Sequence, residues 1–172
     1  MTEKKNSSTP RRHSGKAAQP VPEASADIAA SLPRTIVALG GSAGGLDAYE
    51  AFFRSMPAAR GLAFVLVAHL DPSHASMLTE ILQRYTGLRV VEAQDGMVVM
   101  ADTLYVAPPN RDMTIANGTL LLSLPDAPRG QRMPIDAFFR SLAEDQGERA
   151  VGIILSGTGT DGTQGLRAIL GA

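Results

Sequence analysis

Three polar residues of hydrolytic type follow three apolar runs in this 172-residue chain. Thr35-Ile36-Val37-Ala38-Leu39 leads through two glycines to Ser42. Leu62-Ala63-Phe64-Val65-Leu66-Val67-Ala68 leads to His69, and Ala150-Val151-Gly152-Ile153-Ile154-Leu155 leads through a Gly/Thr/Ser-rich loop to Asp161. In an open α/β sheet, ligands sit outside the carboxyl ends of the strands. Residues distant in sequence are therefore expected to meet at one sheet edge. Together they are the set a nucleophilic hydrolase needs: a hydroxyl to attack, an imidazole to take its proton and a carboxylate to orient the ring. Gly40-Gly41-Ser42-Ala43-Gly44 also satisfies G-x-S-x-G, the tight strand-to-helix turn that exposes a nucleophile. The free N–H groups of the helical turn after it, such as that of Ala43, are placed to stabilise a developing oxyanion.

Each residue has a plainer reading as well. A Gly-rich turn after a first strand is more often a phosphate cradle. Here, however, the third residue of G-x-G-x-x-G would be Ser42, and no G-K-[ST] follows. His69 alone reads as a satisfied core histidine, and Asp161 alone as a turn or N-cap residue before the last helix. His74, one turn into the second predicted helix, reads as a surface or capping residue. The coincidence of three strand ends favours the enzyme over these three readings combined. The order Ser, His, Asp differs from the Ser, Asp, His of α/β-hydrolases, so that fold is not expected.

The elements that must position these residues follow from hydrophobic periodicity. Leu46, Tyr49, Phe52, Phe53 and Met56 recur at helical spacing and stop at Pro57. Asp71 and Pro72 offer an N-cap and a first helical residue for a second helix, with Met77, Leu78, Ile81, Leu82 and Tyr85 on its buried face and Gly87 as its stop. Short strands are expected at Leu88–Val91 and Leu104–Ala107. Met113–Ala116 and Thr119–Leu122 flank Asn117-Gly118, a type I′ hairpin signal. Pro134–Gln146 reads as a third helix with Ile135, Phe138, Phe139 and Leu142 inward, and a last helix begins near Thr163. Strands alternating with helices predict an α/β fold: a doubly wound, mostly parallel sheet with helices on both faces and an inserted β-hairpin.

Composition narrows the function. There are no cysteines, which excludes a disulfide framework, a zinc-thiolate site and a cysteine nucleophile. Three histidines leave little room for a metal site, and no metal or cofactor is expected. A net charge of -1 gives no global sign of nucleic-acid binding. Residues 1–33 are expected to form a disordered basic, Pro-rich tail: Lys4, Lys5, Arg11, Arg12 and Lys16 face Glu3 alone across the first sixteen residues, and Pro10, Pro20, Pro22 and Pro33 stand among Ser and Ala. The tail has no apolar h-region, and no run approaches a membrane span, so a cytoplasmic protein without membrane insertion is expected. Residues 34–172 are read as the catalytic domain.

Val37-Ala38-Leu39-Gly40-Gly41-Ser42-Ala43-Gly44-Gly45, Ala68-His69 and Leu155-Ser156-Gly157-Thr158-Gly159-Thr160-Asp161-Gly162 resemble the three catalytic blocks of the chemotaxis CheB-type protein-glutamate methylesterases. Ala107-Pro108, the Asn117-Gly118 hairpin and Pro134-Ile135-Asp136-Ala137-Phe138-Phe139 are similar to that family's intervening segments. The resemblance implies a hydrolase of glutamate methyl esters on the cytoplasmic helices of chemoreceptors, often with deamidation of receptor glutamines. By motif position it implies Ser42 as nucleophile, His69 as base, Asp161 as orienting acid, and the backbone N–H groups of Ala43 and Thr158 for the oxyanion. Thr158 stands where the family often has Met, a change that preserves a backbone donor. The family's phosphorylation-controlled members carry a receiver domain, which residues 1–33 cannot form. The family's domain also continues with further strand and helix elements beyond the point where this chain ends, so a C-terminally truncated domain is expected. The layout resembles larger proteins in which a methylesterase domain precedes a receptor methyltransferase domain. The competing function is a phosphate- or nucleotide-binding module that uses the Gly40–Gly45 turn without chemistry, or an inactive scaffold fragment.

Overall fold

A computed structural model describes residues 31–42, 45–56, 61–69, 75–128, 131–157 and 159–172, and of Ser42, Ala75 and Ser76 the backbone. In chain order the elements are β1 (Thr35–Ser42), α1 (Leu46–Ser55), β2 (Leu62–His69), α2 (Ala75–Gln83), β3 (Arg89–Glu92), β4 (Met97–Val98), β5 (Thr103–Val106), β6 (Asp112–Ala116), β7 (Thr119–Ser123), α3 (Pro134–Gln146), β8 (Ala150–Ser156) and α4 (Thr163–Leu170). Five strands form a parallel sheet in the order β3-β5-β2-β1-β8. The chain steps outward from β1 to one side and later returns to lay β8 on the other, which is the doubly wound plan.

The inner strands β1, β2 and β5 are apolar on both faces because both faces are covered. Val37, Leu39, Phe64, Leu66, Leu104 and Val106 pack with Tyr49 and Phe53 of α1 and Leu78 and Leu82 of α2. Ile36, Ala38, Val65, Val67 and Tyr105 pack on the other side with Ile135, Phe138, Phe139 and Leu142 of α3. Burying side chains of this size is worth about 1.5–3 kcal/mol each, so these two layers fix where every strand end lies.

The expected hairpin is present, with Asn117 (φ 51) and Gly118 (φ 69) both in the left-handed region that a type I′ turn requires. Asp145 of α3 clamps the turn by accepting the Asn117 and Gly118 N–H groups. Burial pushes the Asp145 carboxyl upward, but bonds from the Gln146 side chain and these two N–H groups, with Arg149 nearby, bring it below its ordinary value.

Three local expectations change. The hairpin gains a third antiparallel strand, β4, paired with β7 over two residues, too short to leave a sequence signal. Met77 is 54% exposed rather than inward. The second helix stops at Gln83, ahead of Gly87, because the Gln83 side chain turns to the next strand: its amide donates to the Leu88 carbonyl at 2.9 Å and accepts the Val90 N–H at 2.9 Å. Asp71, Pro72 and His74 lie outside the described residues.

Helices α3 and α4 meet at Gly165. A Cβ there would collide with the Phe139 Cβ and lie 3.2 Å from the Asp136 Cα. Alanine is the better helix former by about 1 kcal/mol, yet this contact decides the sign. Gly165→Ala is expected to destabilise the fold by roughly 1–3 kcal/mol in urea unfolding; a stabilised variant would contradict the packing described.

Candidate functional site

Strands β1 and β2 run in register over eight consecutive pairs, from Thr35 opposite Leu62 to Ser42 opposite His69. The two strands therefore finish level, and the backbones of Ser42 and His69 are direct neighbours at the carboxyl edge. Side chains alternate along β2. Phe64 and Leu66 face α1 and α2, Val65 and Val67 face α3, and His69 continues the second set. Asp161 follows β8, in the turn before α4. It reaches His69 across the sheet edge, with Nε2 and Oδ2 2.7 Å apart. The imidazole is 43% exposed and the carboxylate 9%. A carboxylate accepts only, so Nε2 carries the proton in this bond, and in the neutral imidazole that leaves the lone pair on Nδ1.

The head of α3 explains why Asp161 is fixed. Pro134 occupies the first turn without an N–H, and Met133 at the N-cap supplies no side-chain bond. The first free donors are Ile135 and Asp136. Their N–H groups donate to Asp161 Oδ2 and Oδ1 at 3.1 and 2.9 Å. Asp161 thus caps α3 from another element, at the helix end where negative charge is favoured. Asp136 does the same for α4: its buried carboxylate accepts the Gly165 N–H at 2.7 Å, and the α4 N-cap, Gly162, has no side chain to offer. His69, Asp161, the α3 head, Asp136 and the α4 head form one continuous set of hydrogen bonds.

On the opposite face of the sheet, Tyr49 of α1 fills the space beside Gly41, where a Cβ would strike its hydroxyl. Burial pushes the Tyr49 phenol up to about 12, so it stays neutral. Helical spacing marks Tyr49 only as an apolar position and gives Asp136 no role. The one signal for Asp136 was an acidic residue just after a helix-starting proline, a pattern that serves many helices. Ala43, Thr158 and His74 lie outside the described residues, so the structure brings together His69 and Asp161 by side chain, and Ser42 by backbone register. A cavity of about 290 Å³ around Ile36, Asn117, Asp145 and Arg149 lies at the other end of the strands, away from this edge. Among the described residues no three His, Cys, Asp or Glu side chains gather closely enough to hold a metal ion, and no helix is long and apolar enough to cross a membrane.

The family profile described as CheB methylesterase matches residues 37–172. A protein-glutamate methylesterase/protein-glutamine glutaminase of Methanosarcina acetivorans is 34% identical over 147 residues, which cover 81% of this chain and 41% of that relative. The chain therefore spans well under half of that relative's length. An uncharacterised 104.1 kDa protein of Rhodobacter capsulatus is 43% identical over 95 residues, 54% of this chain and 10% of that protein. The crystal structure of the Thermotoga maritima CheB methylesterase catalytic domain matches with a TM-score of 0.69 and 27% identity, covering 79% of this chain and 74% of that one.

The capping geometry makes a prediction about Asp136. Asp136→Ala leaves the buried Gly165 N–H without an acceptor and is expected to cost about 1–3 kcal/mol in chemical denaturation. Asp136→Asn keeps an acceptor oxygen and is expected to cost less. Equal stability of the alanine variant and the parent chain would refute the trans-capping role.

Proposed function

We propose that this chain, which belongs to the CheB methylesterase family, hydrolyses glutamate methyl esters of chemoreceptors with Ser42 as nucleophile. The observation that carries the reading is the His69–Asp161 hydrogen bond of 2.7 Å, at a strand end in register with Ser42. Asp161 holds the ring through Nε2–H, and Nδ1 is the nitrogen that takes the Ser42 proton as the serine oxygen bonds to the ester carbon. The carbonyl electron pair moves onto oxygen, and the Ala43 and Thr158 N–H groups hold that oxyanion. The intermediate collapses, the bond to the methoxy group breaks, and His69 returns its proton so that methanol leaves. Water then loses a proton to His69 and attacks the acyl-serine, which gives glutamate and frees Ser42. A receptor glutamine entering the same path would release ammonia, in keeping with the glutaminase named for the Methanosarcina relative. No step calls for a metal or cofactor.

Residues 34–172 are the catalytic domain in this proposal and residues 1–33 a tail. The substrate is the cytoplasmic helical region of a methylated chemoreceptor, so the enzyme works in the cytoplasm. The Rhodobacter capsulatus match, a small part of a 104.1 kDa protein, fits a domain of this kind within a longer polypeptide, and the companion domain proposed there is a receptor methyltransferase. A phosphate-binding module would leave the anchored His69–Asp161 pair without a task.

A fluorophosphonate probe is expected to label the chain at Ser42, and Ser42→Ala to abolish both labelling and methanol release from methylated receptor. His69→Ala and Asp161→Asn are expected to lower kcat by roughly 10³–10⁴-fold. Labelling that persists in Ser42→Ala, or saturable nucleotide binding by a chain inert to esters, would favour the rival. Removal of residues 1–30 is expected to leave kcat and melting temperature unchanged; a large fall in either would show that the tail belongs to the domain.

A further inference from the structure

Ser156 ends β8, and its hydroxyl takes no part in the chemistry proposed above. Its Oγ is fully buried and has no hydrogen-bond partner among the described residues. Buried hydroxyls are nearly always bonded, so an orphan calls for an explanation. Two features place this one against Gly41 and Gly45. The first is register. β8 follows β1 up to the pair of Gly40 and Ile154, then slips so that Gly41 stands opposite Ser156. Without the slip Leu155 would hold that place. Bulges beside functional sites re-aim side chains, and this one exchanges an isobutyl group for a hydroxyl. The second is position. A Cβ built on Gly45 would collide with Ser156 Oγ. Gly45 is the N-cap residue of α1 and makes no side-chain capping bond. The Ser156 hydroxyl therefore lies in the space where an N-cap side chain would lie, and serine is among the best N-cap residues.

We infer that Ser156 is a positioning residue for the nucleophile turn: its hydroxyl, supplied from β8, stands in for the missing N-cap side chain of α1 and engages the first turn of that helix as charge builds on the reacting carbonyl. The inference rests on the esterase reading. Among the described residues the hydroxyl has no bond partner in the resting protein, so it draws no stabilising bond from them. A bond formed only as charge develops raises kcat and leaves ground-state binding unchanged. The role is therefore separable from packing: stability and rate should respond differently to loss of the oxygen.

The test uses the full 172-residue chain, with methanol release from N-acetylglutamate N′-methylamide γ-methyl ester as the assay and a fluorophosphonate as the label. Ser156→Ala is expected to lower kcat about tenfold, the worth of one hydrogen bond, with KM within about twofold and a melting temperature equal to or above that of the parent. Ser156→Thr keeps the hydroxyl and is expected to recover most of the rate. An active parent with an equally fast Ser156→Ala overturns the inference. So does a Ser156→Ala that loses melting temperature along with rate, which is the mark of simple packing. A well-folded Ser156→Thr that stays as slow as the alanine variant overturns it too. A parent chain inert to the ester and to the label defeats the esterase reading itself, and this inference with it.

Discussion

The carboxylate of Asp161 is shared by two demands. The head of α3 presents two N–H groups that neither Pro134 nor Met133 can satisfy. Left unpaired in a partly buried place, each would cost on the order of 1–3 kcal/mol. Asp161 answers that demand, and in doing so it is held rigidly enough to fix the imidazole of His69. The folding requirement of one helix thus aims the base of the proposed reaction. Because Asp136 carries the same device on to α4, the head of α3 holds both the turn that bears Asp161, through the Asp161 carboxylate, and the start of the helix that follows it, through Asp136.

The sheet determines what can meet this carboxylate. β1 lies between β2 and β8 and ends level with β2, so the backbone of Ser42 sits beside that of His69. The two faces of the sheet then supply different support. On the α3 side stands the imidazole–carboxylate pair with its helix-head donors. On the α1 side stand Tyr49 and Ser156, packed against Gly41 and Gly45. Side chains at these two glycines would displace the hydroxyls, so Gly41 and Gly45 serve close approach.

Much of this was legible in the sequence. Strands covered on both faces have uninterrupted apolar runs, and a polar residue at the end of such a run has nowhere to go but the carboxyl edge. That is why Ser42 and His69 could be paired from the chain alone, and why Asn117-Gly118 announced its turn. What could not be read depends on tertiary register. Asp136 looks like any acidic residue in a first helical turn until Gly165 is found against it. Ser156 looks like a loop residue until the slip beside Gly41 turns it inward. Met77 fits a helical stripe, but α2 leaves it 54% exposed at its near end. β4 is two residues long, and its pairing with β7 is decided by the partner strand rather than by its own composition.

The central claim is that Asp161 holds His69 through Nε2 and leaves Nδ1 to receive the proton of Ser42. Long-range ¹H–¹⁵N NMR of the imidazoles, with the His69 signals assigned by their loss in His69→Gln, tests it most directly. The account predicts that neutral His69 carries its proton on Nε2, and that Asp161→Ala removes this preference. A His69 protonated on Nδ1 in the parent chain, or one whose tautomer is indifferent to Asp161, would contradict it.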